Sequence, residues 1–279
     1  MATRPAAVAG SWYPASAGAL GREVDNYVGR VTGIPAGAID AIIAPHAGIM
    51  FSGPIAAYSY KAAAANDYDV AVLVGPSHFV HFDGIALYPD GEFATPFGPA
   101  AIDDEAAVTL ARAPIVKSLT APHAREHSLE MQLPFLKRLL PNVRIVPMLM
   151  GEQTRRTIEA LAEALATAAL ERTLLIASTD LSHYFDAATA ATLDGAVIEH
   201  VENFDAEGLL RLFESYPAGE RGRHVGCGIG PALSVMLAAR RRGARHARVL
   251  KYGHSGEVSG DYGGVVGYLA AAMGSFHAH

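Results

Sequence analysis

Three short apolar runs lead into a histidine in the same way: Ala41-Ile42-Ile43-Ala44-Pro45-His46, Val72-Leu73-Val74-Gly75-Pro76-Ser77-His78 and Leu175-Ile176-Ala177-Ser178-Thr179-Asp180-Leu181-Ser182-His183. Imidazole is the commonest side-chain metal ligand and the usual proton carrier near neutral pH. If the runs are strands of one open sheet, their carboxyl ends face the crevice where such sheets bind ligands, and His46, His78 and His183 converge there. Any one of them alone reads as a loop histidine bonded to nearby backbone. Three at equivalent positions favour a shared site.

The single cysteine sits in Gly226-Cys227-Gly228-Ile229-Gly230-Pro231, ahead of an apolar helix beginning near Pro231. A helix N-terminus favours a thiolate, and flanking glycines let backbone approach a ligand, so Cys227 could join the cleft as a soft metal ligand. The plain reading is a small buried residue under a turn. The glycine run lacks the Gly-x-Gly-x-x-Gly spacing and a clear preceding strand, so nucleotide binding is discounted.

In Glu126-His127-Ser128-Leu129-Glu130, His127 and Glu130 are three apart. On a helix they would share a face, as a histidine steadied by a carboxylate near a metal or an acid/base centre. The competing reading is acidic capping of a helix start with a solvated His127. His254 lies in a glycine-rich loop through Asp261 that could reach the substrate or serve only as a β-connection. His81 and His123 read as loop residues, and His277 and His279 as a tail.

The elements that must position these groups are visible as alternation. Strands are expected over Ile39–Ala44, Val70–Val74, Val143–Leu149, Leu174–Ala177, Arg248–Tyr252 and Gly264–Leu269. Helical spacing covers Gly53–Ala65, Asp103–Arg112, Ser128–Leu140, Thr154–Leu170, Ala187–Val201, Ala206–Phe213 and Pro231–Arg242. Ser52 is expected to cap the helix that Pro54 opens. The alternation implies an α/β fold around a mainly parallel sheet. With no repeat and no Pro/Ser-rich linker, residues 1–279 read as one domain.

Composition narrows the functions. The 22 Lys and Arg against 28 Asp and Glu give a net charge of −6, which argues against nucleic acid as a partner. The cluster Arg240-Arg241-Arg242 reads as a solvated helix end. No apolar run is long enough for a membrane span, so no membrane partner is expected. One cysteine excludes an internal disulfide, and the N-terminus carries no apolar leader, so a reducing, cytoplasmic setting is expected.

The motifs also carry a family resemblance. The blocks Arg4-Pro5-Ala6-Ala7-Val8-Ala9-Gly10-Ser11-Trp12-Tyr13-Pro14, Ala44-Pro45-His46-Ala47-Gly48, Gly75-Pro76-Ser77-His78, Glu126 through Phe135, Ser178 through Tyr184 and Gly226-Cys227-Gly228 occur in order along nearly the whole chain. In these the chain resembles the Memo-like proteins, which are similar in structure to class III non-haem iron extradiol dioxygenases. That resemblance implies a mainly parallel or mixed central sheet with helices on both faces. It implies that His46, His78 and Cys227 form a metal triad, with iron or copper the leading metals; zinc would suit a hydrolytic reading. It implies an acid/base role for His183, with Asp180 beside it. The departure from the dioxygenases is Cys227 where they use a carboxylate, so ring cleavage is not carried over.

Three functions fit this reading. The leading one is a non-haem metal-dependent redox enzyme or oxygenase acting on a small molecule. The second is an adaptor that binds a peptide or small molecule in the same cleft without catalysis, and the third is a metal-assisted hydrolase.

Overall fold

The computed structural model describes residues 2–276; His277 and His279 lie outside the described residues. The strands are β1 (Thr3–Arg4), β2 (Gly37–Ala44), β3 (Val70–Pro76), β4 (Ile85–Leu87), β5 (Glu92–Phe93), β6 (Ala100–Ala101), β7 (Val116–Ser118), β8 (Arg144–Met150), β9 (Thr173–Ser178), β10 (Asp180–Phe185), β11 (His246–His254) and β12 (Val265–Phe276). Nine of them form one sheet in the order β10-β12-β2-β9-β3-β8-β4-β7, with β11 also paired to β12; β1, β5 and β6 form a small second sheet.

The large sheet is mixed. Its centre, β2-β9-β3-β8, is parallel, whereas β12 runs antiparallel to β2, β10 and β11, and β4 antiparallel to β8. Every residue of β3 and β9 is buried. Successive side chains point to opposite faces, so such strands need cover on both sides, which explains runs of Val, Leu and Ile without polar alternation. Burial of Ile42, Ile43 and Leu73 contributes roughly 1.5–3 kcal/mol each to that centre.

The α-helices are α1 (Ala17–Gly29), α2 (Ile49–Ala63), α3 (Asp104–Leu110), α4 (Leu133–Leu139), α5 (Arg155–Thr167), α6 (Ala187–Glu202), α7 (Ala206–Ser215), α8 (Arg221–His224), α9 (Ile229–Arg241) and α10 (Gly256–Ser259). Side chains of Asp103, Thr154, Asp186 and Asp205 accept the free amides at the starts of α3, α5, α6 and α7. α2 differs from the expectation at Ser52. It starts at Ile49 with Gly48 as N-cap, the carbonyl of Trp12 accepts the Ile49 N–H, and Ser52 Oγ donates back to the Ala47 carbonyl. The N-terminal segment thus supplies what a capping side chain would have supplied.

The expected helix over Ser128–Leu140 is also broken. A 3₁₀ turn at Glu130–Gln132 precedes α4, and the amides of His127 and Ser128 donate to the Glu126 carboxylate instead of to a helical carbonyl. Leu129, Leu133 and Leu136 are nonetheless buried as one apolar face. α1 was not expected; its inward face consists only of Leu20, Gly21 and Val24, too thin a stripe to read.

Candidate metal and acid/base site

β2, β9 and β3 are parallel neighbours, with β9 in the middle. Their carboxyl ends therefore place His46, Asp180 and His78 side by side at one edge of the sheet, as the open-sheet rule requires. Cys227 arrives from the other side, immediately before Gly228, the N-cap of α9. The helix starts at Ile229, slightly earlier than expected. Glycine is required on both sides of the thiol. Gly226 has φ +149° and a Cβ there would meet the Asp180 carbonyl, while a Cβ on Gly228 would lie 2.2 Å from the Ser178 carbonyl. Gln153 locks this turn from outside, donating to the Cys227 carbonyl and accepting from the Gly230 N–H.

His46, His78 and Cys227 bring one ligand atom each within 4.8 Å of one another, and His78, Glu126 and His127 form a second such group. The protonation pattern of the imidazoles follows from their partners. Ser178 Oγ donates its only proton to the Ser128 carbonyl, and also accepts from Gln132. Its 2.8 Å contact with His46 Nδ1 must then be an N–H donated by the ring, which leaves the Nε2 lone pair free. That Nε2 lies 3.2 Å from Cys227 Sγ. His78 repeats the arrangement with Glu126, which accepts its ring Nδ1 at 2.9 Å and its backbone N–H at 2.6 Å.

Glu126, rather than Glu130, is the carboxylate that reaches the imidazoles. Burial opposes its charge, but the side chain and backbone of His78 and the Ser128 N–H win, holding its pKa down at about 2. The permanently ionised carboxylate fixes His78 as an Nδ1–H donor. Glu130, the expected partner of His127, instead turns away to the N-terminal segment. It is buried and accepts from Arg4, Tyr13 Oη, and the backbone amides of Ala7 and Val8. His127 itself is in the site, stacked on His78 with ring centroids 4.6 Å apart and 4.3 Å from Trp12. Burial, aided by His78, lowers its pKa to about 4.

Asp180 lines the cleft but does not orient His183. Its carboxylate accepts the His46 backbone N–H at 2.7 Å, and burial raises its pKa to about 7 against the pull of that bond. His183 is in β10, not on a loop. Register breaks flank it on both sides where β10 pairs with β12, and the buried Asp194 accepts the Ser182 N–H and the Tyr252 hydroxyl behind it. Bulges of this kind re-aim side chains beside sites. Burial lowers the His183 pKa, so its ring is neutral at pH 7, and its Nδ1 has no partner among the described residues.

His254 does not join the cleft. It ends β11 opposite Gly267, behind the cleft-lining Val266, and its ring lies edge-on to Tyr262. His123 is buried under Tyr88 and Phe93 with Nε2 near the Ala86 carbonyl. The cleft, about 510 Å³, is thus lined by four imidazoles, one thiol and one carboxyl, with Trp12, Tyr184 and Arg223 at its mouth. The thiol has not gained the acidity expected from a helix start. Burial and the nearby Asp180 push its pKa up, which favours the neutral thiol.

Fold and site together define an α/β protein with a mixed sheet and a His/His/Cys pocket at the strand ends. The chain matches the family model described as "Memo-like protein" over residues 4–272 and belongs to that family. A MEMO1 family protein of Methanopyrus kandleri is 37% identical over 96% of this chain and 97% of its own length, and one of Nitrosopumilus maritimus is 32% identical over 96% and 98%. An uncharacterized protein of Escherichia coli K12 shares the fold, with a TM-score of 0.57 and 13% identity over 85% of this chain and 100% of its own. No helix among the described residues is long and apolar enough to cross a membrane.

Proposed function

We propose that His46, His78 and Cys227 bind a redox-capable transition metal, iron or copper, and that the protein is a metal-dependent redox enzyme acting on a small molecule in the cleft. The observation that carries this is the shared anchoring: both imidazoles donate Nδ1–H to a fixed oxygen, His46 turns its Nε2 to within 3.2 Å of the Cys227 sulfur, and His46, His78 and Cys227 bring one ligand atom each within 4.8 Å of one another. Metal-bound histidines elsewhere are steadied in just this way. Two neutral imidazoles and a thiolate suit iron, copper or zinc and disfavour calcium and magnesium, which take oxygen ligands.

When bound there, iron or copper would supply one-electron chemistry towards a substrate or dioxygen, and zinc only Lewis acidity. The chain's own residues do the rest. Glu126 and Ser178 hold the ligand rings. His127 packs against the rings of His46 and His78, and Trp12 packs on His127, so the two wall the cleft against water. His183, neutral at pH 7, takes a proton from the substrate on its cleft-facing nitrogen and returns it to the product. A reducing cytoplasmic setting suits a chain whose single thiol is kept for a metal.

The test is oxygen uptake and turnover over a panel of small substrates, using protein loaded anaerobically with iron(II) or copper. His183→Gln should retain its metal and lose about 10²-fold or more of turnover. Full turnover in His183→Gln, or turnover independent of metal, contradicts the reading.

A further inference from the structure

Tyr184 has φ +61°, a left-handed conformation that a bulky residue adopts only under constraint, yet its side chain is 69% exposed. A strained residue that buries so little is not kept for the core. It sits between His183 and Phe185, where the pairing of β10 with β12 shifts register, and it lines the cleft. Arg223 lines the same cleft and is the only Lys or Arg to do so among the described residues. Its guanidinium lies over the Phe185 ring at 4.6 Å, which holds the plane and leaves the N–H edges open; among the described residues no carboxylate lies within ion-pair distance. Asp180, the only acidic lining residue among those described, is buried and already accepts from His46.

We propose that Tyr184 and Arg223 are the recognition pair of this cleft and that its substrate is a small organic oxyanion, a carboxylate or a phosphate ester. The guanidinium takes the anionic group in a forked, charge-assisted hydrogen bond, and the phenol ring covers the apolar body opposite Trp12. This rests on the cleft being a substrate site, but not on any metal in it.

Trp12 is the sole tryptophan and lines the cleft, so its fluorescence reports occupancy of metal-free protein directly. The probes are 4-nitrobenzoate, 4-nitrophenyl phosphate and the neutral 4-nitrobenzamide, with quenching corrected for probe absorption. At least one anion should bind about tenfold or more tighter than the amide, and Arg223→Gln should erase that difference while leaving the amide unchanged. Whichever anion binds tighter identifies the oxyanion. Tyr184→Gly should weaken all three probes by about fivefold, with a thermal midpoint at or above the parent's, because glycine accepts the left-handed backbone. Four results overturn the proposal: equal affinity for anions and amide, an Arg223→Gln loss shared equally by the amide, undiminished binding in Tyr184→Gly, or no quenching by any probe at millimolar concentration. Metal loading is measured separately, so loss of the metal reading leaves this result standing, and the reverse.

Discussion

Glu126 grips His78 at two points, one carboxylate oxygen on the ring Nδ1 at 2.9 Å and the other on the backbone N–H at 2.6 Å. The same carboxylate accepts from the amides of His127 and Ser128, so one side chain fixes the loop, the ring and the ring's tautomer together.

Glu126 should make stability depend on pH in a defined window. Its pKa falls from 4.5 to about 2 on folding, so the ionised group stabilises the fold above about pH 4.5 and that contribution is lost as pH falls through about 2. The gain is about 3 kcal/mol. Urea unfolding of Glu126→Gln should show a loss of that order at neutral pH and a flatter fall between these two pH values. An unchanged acid slope would contradict the pairing.

Ser178→Ala removes the acceptor that keeps the His46 proton on Nδ1. Metal affinity, measured by competition with a coloured chelator, should drop about 10–100-fold, with the ligands themselves intact. The variant should still fold, at a cost of about 1–3 kcal/mol for the orphaned Gln132 and Ser128 groups. Undiminished metal affinity would mean that the hydroxyl does not set the tautomer.

Cys227 should be a poor nucleophile without metal. Burial pushes its pKa up, and a thiol rather than a thiolate reacts slowly. Iodoacetamide at neutral pH, followed by intact mass, should modify native metal-free protein at less than about a tenth of the rate of the urea-unfolded chain. Equal rates would place the thiol outside the packed turn.

Glu130→Gln tests the reassignment of that carboxylate. It leaves Arg4 buried without its charge partner, at 2.6 Å from the substituted group, so stability in urea should fall by about 3–5 kcal/mol. Because the Ala7–Tyr13 segment loses its anchor, Trp12 emission should also shift to the red. A change under about 1 kcal/mol with unaltered emission would show that the anchor is dispensable.

The strand ends were legible because parallel, doubly covered strands must be continuous apolar runs, and a histidine just past such a run stands out. This brought His46 and His78 to one edge together with Asp180. Partners were harder to read. Three-residue spacing joined His127 to Glu130, but the chain is not helical at Glu126–Ser128, so the carboxylate that reaches the site is the neighbour, Glu126. The strand that carries His183 has no local signature, because β10 is polar and its pairing is long-range, to β12 80 or more residues later. Ser178, Gln132 and Gln153 act through contacts between elements distant in sequence, and no local pattern marks them.

The metal centre itself is tested most directly by elemental analysis of anaerobically purified parent, His46→Ala, His78→Ala and Cys227→Ser proteins. The parent should carry close to one iron or copper per chain, and each variant should lose most of it. Equal metal content in all four proteins would contradict the His46/His78/Cys227 site.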